Sequence, residues 1–313
     1  MKAIQVDAYG DSTHFSLRTD VSVPSPKENQ ILISVKSVSI NPFDITLSSG
    51  AMKAMILLTF PYTIGGDFAG IVEQVGQHVS AFAIGDTVYG QAITLNGGSG
   101  SFAEKLVAND ANTAIKPASI SFSQAASLPL AGSSAVQAIE QHINLTKNQR
   151  ILIHGGAGGI GSLAIQIAKA HGAYVTATAS GEGLSFIKTL GVDDVIDYHT
   201  QRFENIVKDY DAVFDTVGGD ITNASLAVLK KGGTLVTMIG QPDETKAKAL
   251  GITVVRQMTQ TSTSTLERLT QLINEGKLKP VLDKTFPFME TQNAFTYFTQ
   301  GHPIGKVVIE ISS

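Results

Sequence analysis

The sequence predicts an α/β protein in which a doubly wound parallel sheet is inserted into a second, mainly β, barrel-like domain. Three observations predict it. About the first hundred residues alternate short period-two apolar runs with turn residues; from about Ser123 short apolar strands alternate with helical stretches of roughly ten to fifteen residues; after Pro280 strand, helix and strand return. With 313 residues the chain has room for two domains of ordinary size.

The opening runs are KAIQV, QILISVKSVSI, FAGIVEQVG, GDTVYG and SFAEKLVA, whose alternation suits a twisted, barrel-like antiparallel sheet. The texture then changes at AASLPLAGSSAVQAIEQ, where small and apolar residues take helical spacing, and this marks a boundary at residues 123/124. Beyond it lie six predicted strands, RILIH, AYVTATA, DVID, DAVFDTV, TLVTMIG and GITVV. The helical stretches among them are SLAIQIAKAHG, GLSFIKTLG, ITNASLAVLKKG and LERLTQLINEG. Such alternation means βαβ units and a parallel sheet covered on both faces, and six strands fill a doubly wound sheet. Gly172, Gly191, Gly232 and Gly276 close those helices, where the chain must leave through positive φ. TQTSTST at 259–265 reads as a loop. The closing KTFPF, ETQNAFTYFTQG and GKVVIEI find their simplest home in the first domain. The expected division is therefore 1–123 completed by 277–313, with 124–276 inserted.

Composition narrows the function classes. The 23 basic and 27 acidic side chains form no long run of either sign, so no nucleic-acid or anionic-membrane surface is advertised. Cysteine is absent, which removes disulfides, thiolate catalysis and any cysteine-ligated metal. The seven histidines show no metal spacing, and His154, just before the glycine-rich segment, reads as structural. Met1 leads directly into KAIQV without a charged-then-apolar leader, and no apolar run reaches the roughly 18 residues a membrane span needs. A soluble, cytoplasmic protein is the expectation.

The segment ILIHGGAGGIGSLAIQIAKAHGA places Gly156, Gly158 and Gly161 in the spacing G-x-G-x-x-G, directly after a strand and opening an amphipathic helix. That context makes it a dinucleotide-binding turn. Gly156 is expected to permit the sharp turn, Gly158 to let the backbone approach the pyrophosphate, and Gly161 to let helix and strand pack closely. The amides of Ala157, Gly158, Gly159 and Ile160 then receive the anion, aided by the helix dipole. Dinucleotide sites that prefer NAD carry a carboxylate at the end of the second strand, whereas here that strand ends Ala177-Thr178-Ala179-Ser180. NADPH is therefore the expected cofactor. Ser180 and Tyr198 are candidate donors to its 2′-phosphate, against the alternatives of a turn residue and a packed edge aromatic, and Lys188 or Arg202 is the candidate cation.

NPFDITLSSG (41–50), PYTIGGDFAGIVEQVG (61–76), GDTVYG (85–90), SLPLAGSSAVQAI (127–139) and GKVVIEI (305–311) fall in an order and spacing that resembles the medium-chain dehydrogenase/reductase superfamily. More narrowly, the chain resembles its zinc-free quinone oxidoreductase, zeta-crystallin-like branch. The resemblance spans the whole chain. It implies a GroES-like domain built from both termini around a Rossmann domain, with the active site in the cleft between them. It also implies that Asn41 stands where zinc-dependent members place a cysteine ligand, and Gly66-Asp67 where they place a His-Glu pair, so no zinc is expected.

Several site residues follow from that resemblance. Asn41 and Asp44 are expected near the nicotinamide, with a turn former and a helix cap as the alternatives for the Asn-Pro pair and Asp44. Thr46 stands where many relatives have a tyrosine, which leaves Tyr62 as a candidate proton donor with packing as its other role. Ser134 matches the hydroxyl that contacts the nicotinamide amide, with a small residue at a helix crossing as the alternative. Val217, Gly218 and Gly219 after the fourth strand are expected to close over the adenosine ribose, and Met238, Ile239 and Gly240 after the fifth over the nicotinamide, with ordinary turns as the alternative for their glycines. The implied activity is NADPH-dependent hydride transfer to a quinone or similar electron-poor conjugated acceptor. An enoyl-thioester or enone reductase and a non-catalytic NADPH-binding sensor or structural protein are the alternatives. A homodimer joined through GITVV is expected from the family.

Overall fold

The computed structural model describes residues 1–311 and divides them into two compact units. The first comprises Met1–Leu130, Thr261–Asn274 and the described residues from Leu282 on; the second comprises Ala131–Gln260 and Glu275–Val281. Strands β1 (Ala3–Val6), β2 (Ser16–Arg18) and β3 (Gln30–Ser39) lead to helix α1 (Pro42–Ser48). Then come β4 (Tyr62–Thr63), β5 (Asp67–Val75), β6 (Thr87–Gln91), β7 (Lys105–Asn109), β8 (Thr113–Ile115), α2 (Phe122–Ala126) and α3 (Pro129–Val136). The alternating run that follows is β9 (Arg150–His154), α4 (Gly159–Ala170), β10 (Tyr174–Ala179), α5 (Glu182–Thr189), β11 (Asp194–Asp197), β12 (Tyr210–Asp215) and α6 (Asp220–Ser225). It continues through β13 (Leu229–Thr237), α7 (Glu244–Leu250), β14 (Thr253–Arg256) and α8 (Thr263–Asn274), and the chain closes with β15 (Leu282–Pro287), α9 (Thr291–Gln300) and β16 (Lys306–Glu310).

The second unit is the predicted doubly wound sheet. Its six strands are all parallel, in the order β11-β10-β9-β12-β13-β14. Ile151, Leu152 and Ile153 of β9 are fully buried between helical layers, as a central parallel strand requires. The order reverses direction beside β9, which creates the crevice where such sheets bind ligands. β14, the GITVV strand, lies at one edge of the sheet.

The first unit is mainly β, and it is closed by the end of the chain. Its large sheet runs β15-β16-β3-β5-β6-β8, with β7 also paired to β3. Antiparallel pairing of β16 with β3 sets Val308 opposite Ser39 and Ile309 opposite Val38. An aromatic cluster fills the interior, where Phe295 of α9 meets Phe15 edge-on at 4.7 Å and Phe102 at 5.6 Å. KAIQV, expected in the same barrel-like sheet, instead forms a separate three-stranded sheet, β2-β1-β4. The strand is only four residues long, and its partners β2 and β4 are three and two residues long.

Three further differences have local causes. ITNASLAVLKKG was expected to be helical to its end, but α6 stops at Ser225 and a single tight turn at Leu226–Val228 delivers β13 from Leu229. Gly232 therefore lies in β13 with φ +83°, beside the register shift opposite Tyr210 and Ala212, while Gly172, Gly191 and Gly276 do follow helices with φ of +75°, +84° and +69°. The expected loop at 259–265 ends early, because α8 begins at Thr263. That helix packs with the first unit, since the Tyr89 hydroxyl donates to the Leu266 carbonyl at 2.5 Å and Thr263 Oγ1 to the Thr113 carbonyl at 2.9 Å. No described helix is long and apolar enough to cross a membrane.

Candidate cofactor and acceptor sites

In the second unit the glycine-rich turn joins β9 to α4. Gly155, not Gly156, carries the positive φ (+72°) that reverses the chain after His154, so the role assigned to Gly156 moves one residue back. Gly156 is constrained by space instead. A Cβ there would lie 2.9 Å from the Ala177 Cβ and 3.1 Å from Ile165 Cδ1. At Gly161 a Cβ would lie 2.2 Å from the Gly155 carbonyl oxygen, so only glycine lets helix and turn meet. Gly158, the N-cap of α4, is different: its backbone is extended (φ −75°, ψ 174°) and a Cβ would meet only the Gly155 oxygen at 3.5 Å. The turn has already committed the amides of Gly155, Gly156 and Gly158 to Thr178 Oγ1, the Thr178 carbonyl and the Gly155 carbonyl. The first-turn amides of α4, those of Gly159, Ile160 and Gly161, have no helical acceptor by geometry and point to the open side with the positive end of the dipole. Of the expected anion donors, Gly158 is thus spent inside the turn.

At the end of β10 the Ser180 hydroxyl donates to the Tyr198 hydroxyl at 2.7 Å, so these two candidates are brought together, and the Tyr198 ring packs 4.6 Å from that of His199. Lys188 does not join them: it lines a cavity of about 520 Å³ with Leu184, Val192, Asp194, Asp197 and Gln201, whose lining includes neither hydroxyl. Arg202 is highly exposed and paired with Glu204 at 3.7 Å. Among the described residues, no basic side chain joins the Ser180–Tyr198 pair by a hydrogen bond.

The loops after β12 and β13 are organised by one residue that sequence reasoning passed over, the fully buried Asp215. Its Oδ1 accepts from the amides of Val217 and Gly218, each at 2.9 Å. Its Oδ2 accepts from Thr222 Oγ1 at 2.6 Å and Thr237 Oγ1 at 3.1 Å. Thr237 Oγ1 in turn receives the Gly240 amide at 2.8 Å. Two loops and a helix start are thereby tied to one carboxylate, leaving Val217 and Ile239 as exposed apolar side chains beside Gly218 and Met238. Neighbouring His154 is held neutral, with burial depressing its pKa to about 4, and its ring nitrogens meet Thr178 Oγ1 and Ser225 Oγ at 3.3 and 3.1 Å. Ser134 is buried, its hydroxyl 2.7 Å from that of Thr259.

In the first unit Pro42 opens α1 and Asn41 is its N-cap. The Asn41 amide N–H donates to Asp44 Oδ2 at 2.8 Å, so Asp44 does take the capping role weighed for it. The Asn41 carboxamide is buried and doubly engaged: its Nδ2 donates to Asp67 Oδ2 at 2.9 Å, and its Oδ1 accepts from Lys306 Nζ at 2.6 Å. Asp67 also accepts from Ser39 Oγ at 3.3 Å, Gln91 Nε2 at 3.5 Å and the Leu130 amide at 3.2 Å. Burial pushes both carboxyl groups up, Asp44 to about 7, while Lys306, held down by burial, is supported by both carboxylates. Thr46 turns its hydroxyl to the Pro42 carbonyl at 3.0 Å. Tyr62 is buried on β4, and burial raises its phenol to about 12. Lys306 escaped sequence reasoning as an individual residue, although GKVVIEI was noted.

Two family descriptions match the chain: an alcohol dehydrogenase GroES-like domain over residues 27–118, and a zinc-binding dehydrogenase domain over residues 190–309. Among curated proteins, the 2-methylene-furan-3-one reductase of Solanum lycopersicum is 36% identical over 317 residues, covering 99% of this chain and 79% of the relative. The chloroplastic NADPH-dependent alkenal/one oxidoreductase of Arabidopsis thaliana matches with the same identity and coverage. Among solved structures, the quinone oxidoreductase from Coxiella burnetii superposes with a TM-score of 0.90 at 34% identity, covering 100% of this chain and 99% of that one.

Proposed function

Because the chain belongs to the medium-chain dehydrogenase/reductase superfamily, in its quinone oxidoreductase branch, we propose that this NAD(P)H-dependent oxidoreductase is an NADPH:quinone reductase that works without zinc. The observation that carries the reading is the Asn41–Asp67–Lys306 network. A catalytic zinc asks for thiolate, imidazole or carboxylate donors at about 2.0–2.3 Å and one open position. Here the corresponding residues are an amide whose oxygen faces an ammonium, a glycine and a carboxylate already holding several donors. A dication does not suit that set. Simple carbonyls, which want Lewis-acid polarisation, are therefore disfavoured as acceptors, and acceptors that delocalise incoming charge are favoured.

NADPH fits the second unit on two structural grounds: the space beyond Gly158, and the unspent first-turn amides of α4 facing it. When bound it supplies the hydride of its nicotinamide ring. The residues of the chain do the rest. The α4 amides hold the pyrophosphate, the Ser180 and Tyr198 hydroxyls bond the 2′-phosphate where a carboxylate would repel it, and the Asp215-tied loops present Val217 to the adenosine ribose and Ile239 to the nicotinamide ring. Residues 41–46 face the acceptor. Proximity and a dry surrounding carry the rate, with no side chain obliged to act as an acid. Edge strand β14 pairs with that of a second copy to form the homodimer.

A second reading, reduction of conjugated enones, is favoured by the similarity to the furanone and alkenal/one reductases. One experiment separates the readings: oxidation of NADPH, with NADH beside it, by a quinone, an enone and an enoyl thioester. Turnover of quinone and enone with NADPH preferred is expected. Activity on the thioester alone overturns the acceptor assignment, equal use of NADH overturns the cofactor preference, and binding without any turnover makes the protein a cofactor-binding sensor or structural protein.

A further inference from the structure

The end of the chain reaches into the acceptor segment through one buried side chain. Lys306 lies on β16, is 5% exposed, and directs its ammonium at two oxygens 265 and more residues away in sequence: Oδ1 of Asn41 at 2.6 Å and the carbonyl of Ile40 at 2.7 Å. A buried ammonium is costly unless its hydrogens and charge are both answered. The groups that answer it come from three elements: the Ile40 and Asn41 oxygens at the entry to α1, Asp67 on β5 and Asp44 in α1.

No ion pair within 4 Å joins Lys306 to Asp67 among those described. The Asn41 carboxamide lies between them, its oxygen toward the cation and its nitrogen 2.9 Å from the anion. Rotating the amide by half a turn would press NH2 against ammonium and oxygen against carboxylate. The charges thus select one orientation of a side chain that neutral surroundings would leave ambiguous. The same ammonium pins the Ile40 carbonyl, and the Asn41 amide N–H is held by Asp44, so both sides of the Ile40–Asn41 peptide that leads into α1 are fixed.

We infer that Lys306 is a positioning residue for the acceptor segment: by holding the Asn41 amide and the Ile40 carbonyl from the core of the first unit, it sets the orientation of Asn41 and the start of α1. The effect on turnover rests on the proposal that residues 41–46 face the acceptor; the effect on Asn41 does not.

The test compares the wild-type protein with Lys306→Met, Lys306→Arg and the charge-free pair Lys306→Met with Asp67→Asn. The first readout is the 15N side-chain amide resonance of Asn41, assigned by its loss in Asn41→Leu; the others are the NADPH dissociation constant by fluorescence, and kcat and KM for a quinone. In Lys306→Met the Asn41 amide protons should exchange much faster, and kcat should fall by about tenfold or more, as expected when reacting groups are misplaced. NADPH affinity should stay within about twofold, since the amides proposed to hold its phosphates belong to α4, and Lys306→Arg should recover most of kcat. An unchanged Asn41 resonance with kcat within about twofold of wild type overturns the inference. Should Lys306→Met not fold, the charge-free pair decides: fast Asn41 exchange supports positioning, and a wild-type resonance overturns it. If the wild-type protein reduces no acceptor, the quinone-reductase reading falls while the Asn41 resonance still decides the role of Lys306.

Discussion

Two glycines three residues apart, Gly158 and Gly161, should respond oppositely to the same added methyl group. At Gly161 the new carbon would lie 2.2 Å from the Gly155 oxygen and 2.8 Å from the Gly155 carbonyl carbon, both rigid backbone. Relief requires α4 to move away from β9, and overpacking of this kind costs about 1–3 kcal/mol or more. For Gly161→Ala a melting temperature lower by about 5 °C is expected, at roughly 2–4 °C per kcal/mol for a chain of this size. At Gly158 the same carbon meets one oxygen at an ordinary 3.5 Å, and the backbone at φ −75° accepts alanine. Only about 0.5–1 kcal/mol of capping preference is lost. On the proposed placement of the cofactor phosphates, the methyl group would stand in the way of their approach to the α4 amides. Gly158→Ala should therefore melt within about 2–3 °C of wild type yet bind NADPH at least about tenfold more weakly, about 1.4 kcal/mol. Thermal melts and fluorescence titration measure the two quantities separately. Wild-type NADPH affinity in a folded Gly158→Ala variant would refute the placement of the phosphates.

Asp215→Asn keeps the shape of the side chain but sets an NH2 group against hydroxyls that now donate to Oδ2. A loss of about 2–3 kcal/mol in urea unfolding is expected, with weaker NADPH binding because the Val217–Gly218 and Gly240 loops loosen together. Asp44 gives a pH test. Its folded pKa of about 7 lies above the unfolded value of 3.8, so the folded state holds the extra proton between them, and stability from this group is full below about pH 4 and declines as pH rises through 7. Relative to wild type, Asp44→Asn should gain stability between pH 5 and pH 8, at about 1 kcal/mol per unit near the middle of that window; parallel stability curves across it would contradict the assignment.

Much of the fold was legible because it follows from local periodicity. The six strands of the second unit and the helix after Gly161 are each visible in ten or so residues, and parallel order follows from their alternation. Errors arose where a nonlocal partner decides. Lys230, Lys231 and Gly232 read as a helix end, yet they lie in β13 because its earlier residue Leu229 pairs with Tyr210. Gly155 was passed over because the motif spacing begins one residue later. Site residues divided in the same way. The Asn41–Asp44 cap lies within four residues and could be weighed from sequence, whereas Asp215 and Lys306 look like ordinary strand residues until Thr222, Thr237 and Asn41 are brought against them. A hub built from distant donors leaves no spacing to read.

The pairing of β16 with β3 has a consequence for the order in which the molecule comes into being. Residues 37–39 leave the ribosome early and must wait for residues 308–310, and Asn41 waits for Lys306, 265 positions later. At about 5–20 residues per second that interval is roughly 10–50 s, far longer than a compact domain needs to fold. The inserted sheet, whose six strands are contiguous, can be finished while the surrounding unit still lacks its last two strands. During that time residues 37–39 of β3 offer an unpaired edge and the Asn41 amide lacks the ammonium that orients it, so the newborn chain carries a finished parallel-sheet unit beside an unfinished first unit until β16 is made.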